Sequence, residues 1–215
     1  AKGGTAYVSL EPHSHHGKTP PCTDALINAG ISRVVCPIED PNPLVSGRGF
    51  EALREAGLEV VTGILAEQAS RLNETFICWH QKQRPFVHLK LATSIDGRIS
   101  LSDSVSTALS GEAGRERVHA LRHQDDAILV GGNTVAVDDP MLTDRSGRPR
   151  RRPLVRVVLD NRLRLAIDSN LVRTAWEVPL IVFTNCRDPR KIAELREQGV
   201  DIVELEMGGR DIPGL

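Results

Sequence analysis

The sequence predicts an α/β protein built on parallel sheets. Short apolar runs rich in valine, isoleucine and leucine alternate with segments of helical character along most of the 215 residues. Several predicted helices end at a glycine, a residue that commonly ends helices, and a further apolar run follows them. This alternation favours parallel strands with helices packed on the faces of the sheet.

The first part of the chain shows the order β-α-β-α-β, followed by a polar segment with spaced apolar residues. The apolar runs predict strands, and Thr23 is a candidate cap for the first helix, which Gly30 ends. The polar segment predicts one long helix that bridges two units and ends at Pro85. The predicted strands are residues 6–10, 33–38 and 58–62, and the predicted helices are residues 24–28, 50–56 and 67–83.

The second part of the chain predicts a second α/β region. One of its apolar runs leads directly into Gly131 and Gly132, and a predicted helix near the end of the chain is closed by Gly199. The predicted strands are residues 86–92, 127–130, 155–159, 180–183 and 200–205, and the predicted helices are residues 111–123 and 189–198.

Composition excludes several classes of function. Charged residues make up 26% of the chain and its net charge is -1, which argues against a broad nucleic-acid or membrane surface. The one basic cluster, residues 145–152, lies among glycine and proline and is predicted to be a solvated loop. No apolar run reaches the roughly 18 residues of a membrane span. Four scattered cysteines indicate a cytoplasmic protein with reduced thiols, in which Cys36 and Cys186 are core residues.

The loop after the first predicted strand concentrates possible metal ligands. His13, His15, His16 and Cys22 lie within ten residues, and imidazole and thiolate are good zinc ligands. A polar loop with surface histidines is the alternative. Residues 12–22 resemble the zinc motif of the deaminase half of the bifunctional riboflavin-biosynthesis enzymes, Pro-Cys-Ser-His-x-Gly-x-Thr-x-Pro-Cys, with His13 in place of the first cysteine.

This resemblance implies that residues 1–82 are the C-terminal part of a zinc deaminase domain, of three-layer cytidine-deaminase-like fold, with a linker helix. His13 and Cys22 would bind zinc. The family's third zinc ligand and its proton-shuttling glutamate belong to an upstream His-x-Glu, which this chain lacks. Without that glutamate no deamination is expected from this chain by itself. The alternative is a reductase whose deaminase part is a degenerate, non-catalytic scaffold.

Several residues of the second part are candidates for ligand binding on physical grounds. Gly131 and Gly132 at a strand end allow a ligand to approach the backbone, or they form a tight packing turn. Arg122 and Arg145 are suited to grip a phosphate, or they are surface arginines. Lys90 is a further ionisable candidate, or it is an edge-strand lysine that faces solvent.

Four stretches of the second part resemble the pyrimidine reductase domain of the same enzymes, which is similar in fold to dihydrofolate reductase. They are residues 85–99, 117–122, 130–145 and 155–161. The resemblance implies that residues 83–215 are the N-terminal part of such a domain. Lys90 would then be the ionisable residue nearest the reaction centre, where it would orient the sugar hydroxyls or donate a proton. It places NADPH at Ala92, Thr134, Asp138 and Asn161, with Ala108 where the family often has tryptophan, and the substrate at Ser106, Arg122, Leu142 and Arg145.

The activity that the resemblance implies is NADPH-dependent reduction of 5-amino-6-(5-phosphoribosylamino)uracil to its ribitylamino form. In the full-length protein it is coupled to zinc-dependent deamination of 2,5-diamino-6-(5-phosphoribosylamino)pyrimidin-4-one. Pairing of reductase domains into a homo-oligomer is also implied. We expect the 215-residue chain, a piece truncated at both ends, to be inactive by itself. The family's Glu-Gly-Gly-type cofactor segment comes later than residues 206–209, which only superficially resemble it.

Overall fold

Two parallel sheets organise the chain, which divides into two compact units at residues 1–89 and 90–215. The computed structural model describes residues 1–102 and 105–205. The first unit holds a three-stranded sheet of order β1-β2-β3 and the second a four-stranded sheet of order β4-β5-β6-β7. Every neighbouring pair of strands is parallel, and the strand order follows the chain order. The α/β class with parallel sheets is therefore confirmed.

The first unit follows the predicted order of strands and helices. Its apolar strand residues pack with the apolar faces of the first two helices around Leu53 and Val34, both fully buried. Burial raises the pKa of the Cys36 thiol to about 11, so this cysteine is a protonated core residue, as predicted. The elements are β1 (Thr5–Tyr7), α1 (Cys22–Asn28), β2 (Arg33–Cys36), α2 (Arg48–Glu55), β3 (Glu59–Thr62), α3 (Ala66–Leu72) and α4 (Glu74–Lys82).

A buried carboxylate ties the loop after β1 to the start of α2. Glu11 is 4% exposed and accepts hydrogen bonds from the backbone N–H groups of Gly47 at 3.0 Å and Gly49 at 2.8 Å. A Cβ at Gly49 would lie 1.9 Å from the carbonyl oxygen of Pro12, so only glycine permits this close approach. The loop that carries His13 therefore starts from a firmly held point.

The second unit has a larger core around its four-stranded sheet. Alternate residues of β5 and β6 face this core, and Val158, Leu180 and Val182 are fully buried in it. Asp188 caps the last helix by accepting from the N–H groups of Arg190 and Lys191. The elements are α5 (Glu112–Gln124), β4 (Ala127–Gly131), α6 (Gly132–Asp138), β5 (Val155–Leu159), α7 (Asn170–Arg173), β6 (Leu180–Thr184), α8 (Pro189–Glu197) and β7 (Asp201–Glu204).

The sheet of the second unit carries a fully buried arginine side chain. Arg156, on β5, donates to the carbonyl oxygens of Leu171 at 3.2 Å and Thr174 at 3.1 Å and to the Thr174 hydroxyl at 2.7 Å. Burial lowers the pKa of Arg156. Its guanidinium satisfies carbonyls that the short helix α7 leaves without partners at its C-terminus.

Three predictions about local structure are wrong, and two short helices were missed. Residues 86–92 form no strand, because a strand requires a hydrogen-bonded neighbour and this segment pairs with none among the described residues. The predicted long helix is two helices separated at Asn73. Thr23 lies inside α1 and does not cap it. The short helices α6 and α7 were not predicted, since neither is long enough to show a helical period.

Candidate functional site

The two predicted phosphate-binding arginines lie close enough in the second unit for their charges to interact. Arg122, on α5, is half-buried and donates to the carbonyl oxygen of Thr143 at 3.1 Å. Its Nε atom is buried without a hydrogen-bond partner. The backbone N–H of Arg145 donates to Nδ1 of His119 at 3.2 Å, which fixes the loop that carries Arg145 one helical turn from Arg122. Neither arginine forms an ion pair with a described residue.

The charges of this cluster disturb one another. Burial, followed by the positive charge of Arg145, lowers the pKa of Arg122. Burial also lowers the pKa of His119, and the charges of Arg122 and Arg145 lower it further against the opposing effect of Asp144. His119 is therefore neutral near pH 7, which agrees with its role as a hydrogen-bond acceptor for Arg145. An anion between the two guanidinium groups would relieve their repulsion.

A buried acid holds the loop that follows. The Asp144 side chain is 6% exposed and contacts His123 Nδ1 at 2.9 Å and Arg150 at 3.3 Å, while it accepts from the Ser146 N–H at 2.9 Å. Desolvation raises the pKa of Asp144, but these hydrogen bonds outweigh it and hold the pKa well below its ordinary value. Arg150 also donates to the carbonyl oxygens of Arg122 and Asp125 at the end of α5. Within the predicted solvated loop, Arg150 is thus an anchor, contrary to expectation.

The two adjacent glycines after β4 have different surroundings. A Cβ at Gly132 would lie 2.6 Å from the Asp160 carboxylate, which makes this glycine a tight packing position. A Cβ at Gly131 would meet nothing within 4 Å, so the backbone there is open to a ligand. The packing interpretation therefore applies to Gly132, and ligand approach at Gly131 stays a prediction. Gly131 ends β4 at the carboxyl edge of the sheet, where ligands of open α/β sheets bind.

A pocket of about 350 Å³ opens at the same edge, beyond the ends of β5, β6 and β7. It combines apolar side chains with two arginines, one carboxylate and the predicted cofactor residue Asn161. Arg164 donates to the Asn133 side chain at 3.4 Å, which links the pocket to the start of α6. The residues that line it are Leu159, Asp160, Asn161, Arg162, Arg164, Phe183 and Leu205.

The structure groups some of the predicted cofactor residues. Thr134 and Asp138 lie one turn apart on α6, which directly follows β4, and both are exposed. Asn161 follows the neighbouring strand β5. These three positions therefore occupy the region beyond two adjacent strand ends. Their roles stay predictions.

In the described part of the chain, no hydrogen bond or ion pair joins the other predicted site residues to one another. Lys90, Ala92, Ser106 and Ala108 lie on a segment without regular strand or helix, apart from an isolated bridge between Ser102 and Val105. Among the residues that the structure describes, Ser106 forms no hydrogen bond, and Lys90 and Ala108 are exposed. Leu142 is 4% exposed and packs in the core of the second unit, with a left-handed φ of 50°. Residues 206–209 lie outside the described residues.

The predicted zinc ligands do not form a complete metal site. The His13 and His15 rings meet edge to face with centroids 5.4 Å apart, and Nδ1 of His15 has no partner. Cys22 is exposed at the start of α1. Across the described part of the chain, no three histidine, cysteine or acidic side chains converge as metal ligands. Within these residues the donor chemistry of His13 and Cys22 suits zinc, but fewer than three donors converge.

Sequence reasoning missed His119, Asp144, Arg162 and Arg164 as possible site residues. His119 stands three residues before Arg122 on α5, so the helical period places both side chains on one face and was a usable signal. Arg162 follows Asn161 directly and Arg164 comes two residues later, so their closeness to a predicted cofactor residue was a usable signal. Nothing in the sequence distinguishes Asp144, since its partners His123 and Arg150 come together only in the fold.

Fold and site together define an α/β protein whose second unit carries a cationic cluster beside α5 and a mixed pocket at the carboxyl edge of a parallel sheet. Residues 85–209 match the family model described as the RibD C-terminal domain. The chain therefore belongs to the RibD family. Among the described residues, no helix combines the length and apolarity needed to cross a membrane.

Curated relatives support the same assignment. The riboflavin biosynthesis protein RibD of Actinobacillus pleuropneumoniae is 46% identical over 201 residues, which cover 94% of this chain and 53% of the relative. That of Aquifex aeolicus is 43% identical over 206 residues, which cover 96% of this chain and 57% of the relative. The chain thus spans about half the length of the curated relatives it matches.

Solved structures of the family resemble the whole chain. Acinetobacter baumannii RibD, in a form 1 structure, superposes with a TM-score of 0.80 at 36% identity. The match covers 96% of this chain and 57% of the Acinetobacter baumannii chain. A Thermotoga maritima protein superposes with a TM-score of 0.78 at 37% identity. The match covers 94% of this chain and 62% of the Thermotoga maritima chain. It is named diaminohydroxyphosphoribosylaminopyrimidine deaminase/5-amino-6-(5-phosphoribosylamino)uracil reductase.

Proposed function

We propose that residues 83–215 are the N-terminal part of an NADPH-dependent reductase domain, of the dihydrofolate-reductase-like kind, that acts in the cytoplasm on 5-amino-6-(5-phosphoribosylamino)uracil. The observation that carries the proposal is the pair of Arg122 and Arg145, whose charges repel each other and neither of which forms a direct ion pair with a described residue. Asp144 is the acid whose charge acts on Arg122, and two guanidinium groups beside one carboxylate leave positive charge that favours a ligand with a phosphate. The Thermotoga maritima relative is named for reduction of a phosphoribosyl compound, which agrees with this choice.

In this proposal the cationic cluster holds the ribose phosphate of the substrate. Arg122 and Arg145 donate hydrogen bonds to the phosphate oxygens, and the half-buried position of Arg122 strengthens this interaction by excluding water. Ser106 contributes a hydroxyl donor, and Leu142 shapes the site through the backbone of its turn. His119 positions Arg145 through the hydrogen bond from its backbone N–H. Firm anchoring of the phosphate fixes the sugar carbon that reacts.

The cofactor is proposed to lie at the carboxyl edge of the four-stranded sheet. The open space at Gly131 and the pocket beside Asn161 fit a nucleotide there. Thr134, Asp138 and Asn161 would hold NADPH, together with Ala92 and with Ala108 in place of the family's tryptophan. Bound NADPH supplies a hydride for C1 of the opened ribose. Lys90 would orient the sugar hydroxyls. Pairing of two reductase domains is proposed from the same resemblance.

The direct test is a reductase assay with the intact protein that carries this chain. We expect NADPH oxidation that depends on added 5-amino-6-(5-phosphoribosylamino)uracil and is much slower with the dephosphorylated compound. The product is identified as the ribitylamino form by mass, two hydrogens heavier than the substrate. Absence of substrate-dependent NADPH oxidation in a folded, intact protein would overturn the proposal.

A second candidate concerns residues 1–82, which we propose to be the C-terminal part of a deaminase-type domain with a linker helix, acting as a non-catalytic scaffold. The observation that favours this alternative over zinc-dependent deamination of 2,5-diamino-6-(5-phosphoribosylamino)pyrimidin-4-one is His13, which stands where the family's zinc motif has its first cysteine. An imidazole differs from a thiolate in charge and in reach, although both are ligands that zinc accepts.

Replacement of His13 by alanine distinguishes scaffold from metal site. We expect the intact protein and its His13→Ala variant to contain equal, substoichiometric zinc by elemental analysis and to show no deaminase activity. His16→Ala is the matched control, since His16 is an exposed histidine of the same loop. Stoichiometric zinc that His13→Ala alone removes, or release of ammonia from the diaminopyrimidine, would contradict the scaffold and support zinc binding through His13 and Cys22.

A further inference from the structure

One face of α5 holds three successive residues of the loop over residues 143–145. Arg122 donates to the carbonyl oxygen of the first of them at 3.1 Å, and Nδ1 of His123 lies 2.9 Å from the carboxylate of the second. Nδ1 of His119 accepts from the backbone N–H of the third at 3.2 Å. Arg122 and His123 lie three and four positions after His119, so the three side chains share one face of α5. The loop is therefore fixed to the helix residue by residue.

Of these three contacts, the one made by His119 requires a neutral side chain. A ring nitrogen accepts a hydrogen bond only through a free lone pair, so the proton of this imidazole must be on Nε2. The guanidinium of Arg122 stays charged and donates throughout the pH range in which proteins fold. His123 can donate to Asp144 from Nδ1 whether its ring is neutral or charged. Protonation of His119 therefore removes one contact and leaves the other two.

The charged groups around His119 favour its neutral form. Burial lowers the pKa of His119, and the positive charges of Arg122 on α5 and Arg145 on the loop lower it further. Asp144, on the same loop, acts in the opposite direction. Residues 115 and 116, an arginine and a glutamate one turn earlier on α5, are exposed to solvent and carry opposite charges. The hydrogen-bonded state of the loop is thus the one that these surroundings favour near pH 7.

We propose that His119 is a proton-dependent positioning residue for substrate binding: its neutral imidazole holds Arg145 beside Arg122, and its protonation releases Arg145. The inference rests on the proposed function, because it takes the two arginines as the site of the substrate's phosphate. Protonation places an N–H group of the ring against the backbone N–H of Arg145, which breaks the hydrogen bond between them. The phosphate then keeps Arg122 and loses Arg145. Substrate affinity therefore falls as the pH falls through the pKa of His119, which lies below the ordinary value of about 6.5.

Two amide variants of the intact protein separate the two nitrogen atoms of His119. In His119→Asn the amide oxygen takes the place of Nδ1 as the acceptor for Arg145, and it does not titrate. In His119→Gln the longer side chain places its amide near the position of Nε2, so the acceptor is lost. Near pH 7 we expect the KM for 5-amino-6-(5-phosphoribosylamino)uracil to be unchanged in His119→Asn and raised roughly tenfold in His119→Gln. The kcat and the KM for NADPH should stay unchanged in both variants.

The pH profile distinguishes positioning from a merely structural role. The substrate's phosphate itself titrates with a second pKa of about 6, so the parent protein is compared with His119→Asn at each pH. The ratio of their kcat/KM values, parent over variant, should be constant above about pH 6.5 and fall on the acid side. Arg117→Gln, an exposed change on the same helix, should follow the parent at every pH. A ratio that does not change with pH overturns the inference. A ratio that rises at acid pH also overturns it, because His119 would then be a direct cationic ligand of the phosphate.

Binding of ribose 5-phosphate, measured by calorimetry, gives a readout that needs no turnover. A loss of affinity at acid pH that is larger in the parent than in His119→Asn supports the inference even without reductase activity, in which case only the proposed function fails. Reductase activity with a constant ratio leaves the proposed function standing and overturns the inference. Absence of both activity and binding in a folded protein overturns both. Circular dichroism checks folding, and the comparison with His119→Asn decides the question if His119→Gln is unfolded.

Discussion

Arg122→Met should lower reductase kcat/KM for the phosphorylated substrate by roughly a hundredfold, because charged hydrogen bonds to a phosphate contribute about 1.5–3 kcal/mol. Methionine keeps the apolar stem that packs beside the 143–145 loop but removes the guanidinium. The KM for NADPH should not change. With dephosphorylated substrate the variant and the parent protein should be equally slow, so the ratio of the two substrates' rates isolates the phosphate contact.

Arg117→Met provides the matched control for Arg122→Met. Arg117 lies on the same helix, is exposed and forms no ion pair with a described residue. It should leave both rates unchanged. A rise in the KM for NADPH in Arg122→Met, with the substrate's KM unaltered, would assign the cationic cluster to the cofactor. The variant also removes the positive charge of Arg122 from the surroundings of His119. The pKa of that imidazole should therefore rise toward its ordinary value, which NMR titration can follow.

The fold class followed from sequence because it depends on local patterns. Short apolar runs separated by helical segments are sufficient to predict parallel strands, and β5 has the predicted bounds. Residues 86–92 show the limit of this reasoning. Val87, Leu89 and Leu91 alternate as in a strand, yet they are 65%, 80% and 63% exposed. Pairing is a property of two segments, and one segment's pattern does not establish that a neighbour is available.

The candidate site was only partly predictable for a related reason. Arg122 and Arg145 were identified from a resemblance, and the fold brings their loop and helix together. Arg150 appeared to be one arginine in a solvated basic run, although it closes the C-terminus of α5 by donating to two carbonyl groups. Such a role depends on the path of the chain and not on neighbouring residue types, so composition misassigned it.

Replacement of Asp144, the acid that Arg150 contacts, should strongly destabilise the second unit. Asp144→Asn should reduce the free energy of unfolding by about 3 kcal/mol near pH 7, because it leaves the Arg150 guanidinium, with 17% of its side chain exposed, without its carboxylate. Asparagine still accepts from the Ser146 N–H, so the loss isolates the charge. Asp168→Asn, at an exposed aspartate of the same unit, should have almost no effect.

Urea unfolding followed by tryptophan fluorescence measures this difference, with Trp176 as the probe in a Trp79→Phe background, since the chain has two tryptophans. The pKa of Asp144 is lower in the folded chain than in the unfolded chain. Its ionised form therefore stabilises the fold fully above the unfolded pKa of about 3.9, and this contribution is lost as the pH falls from there toward the folded-state pKa. The gap between the parent and Asp144→Asn should accordingly shrink below about pH 4. A gap that is constant with pH would mean that shape, and not charge, is what Asp144 contributes to the loop beneath Arg145.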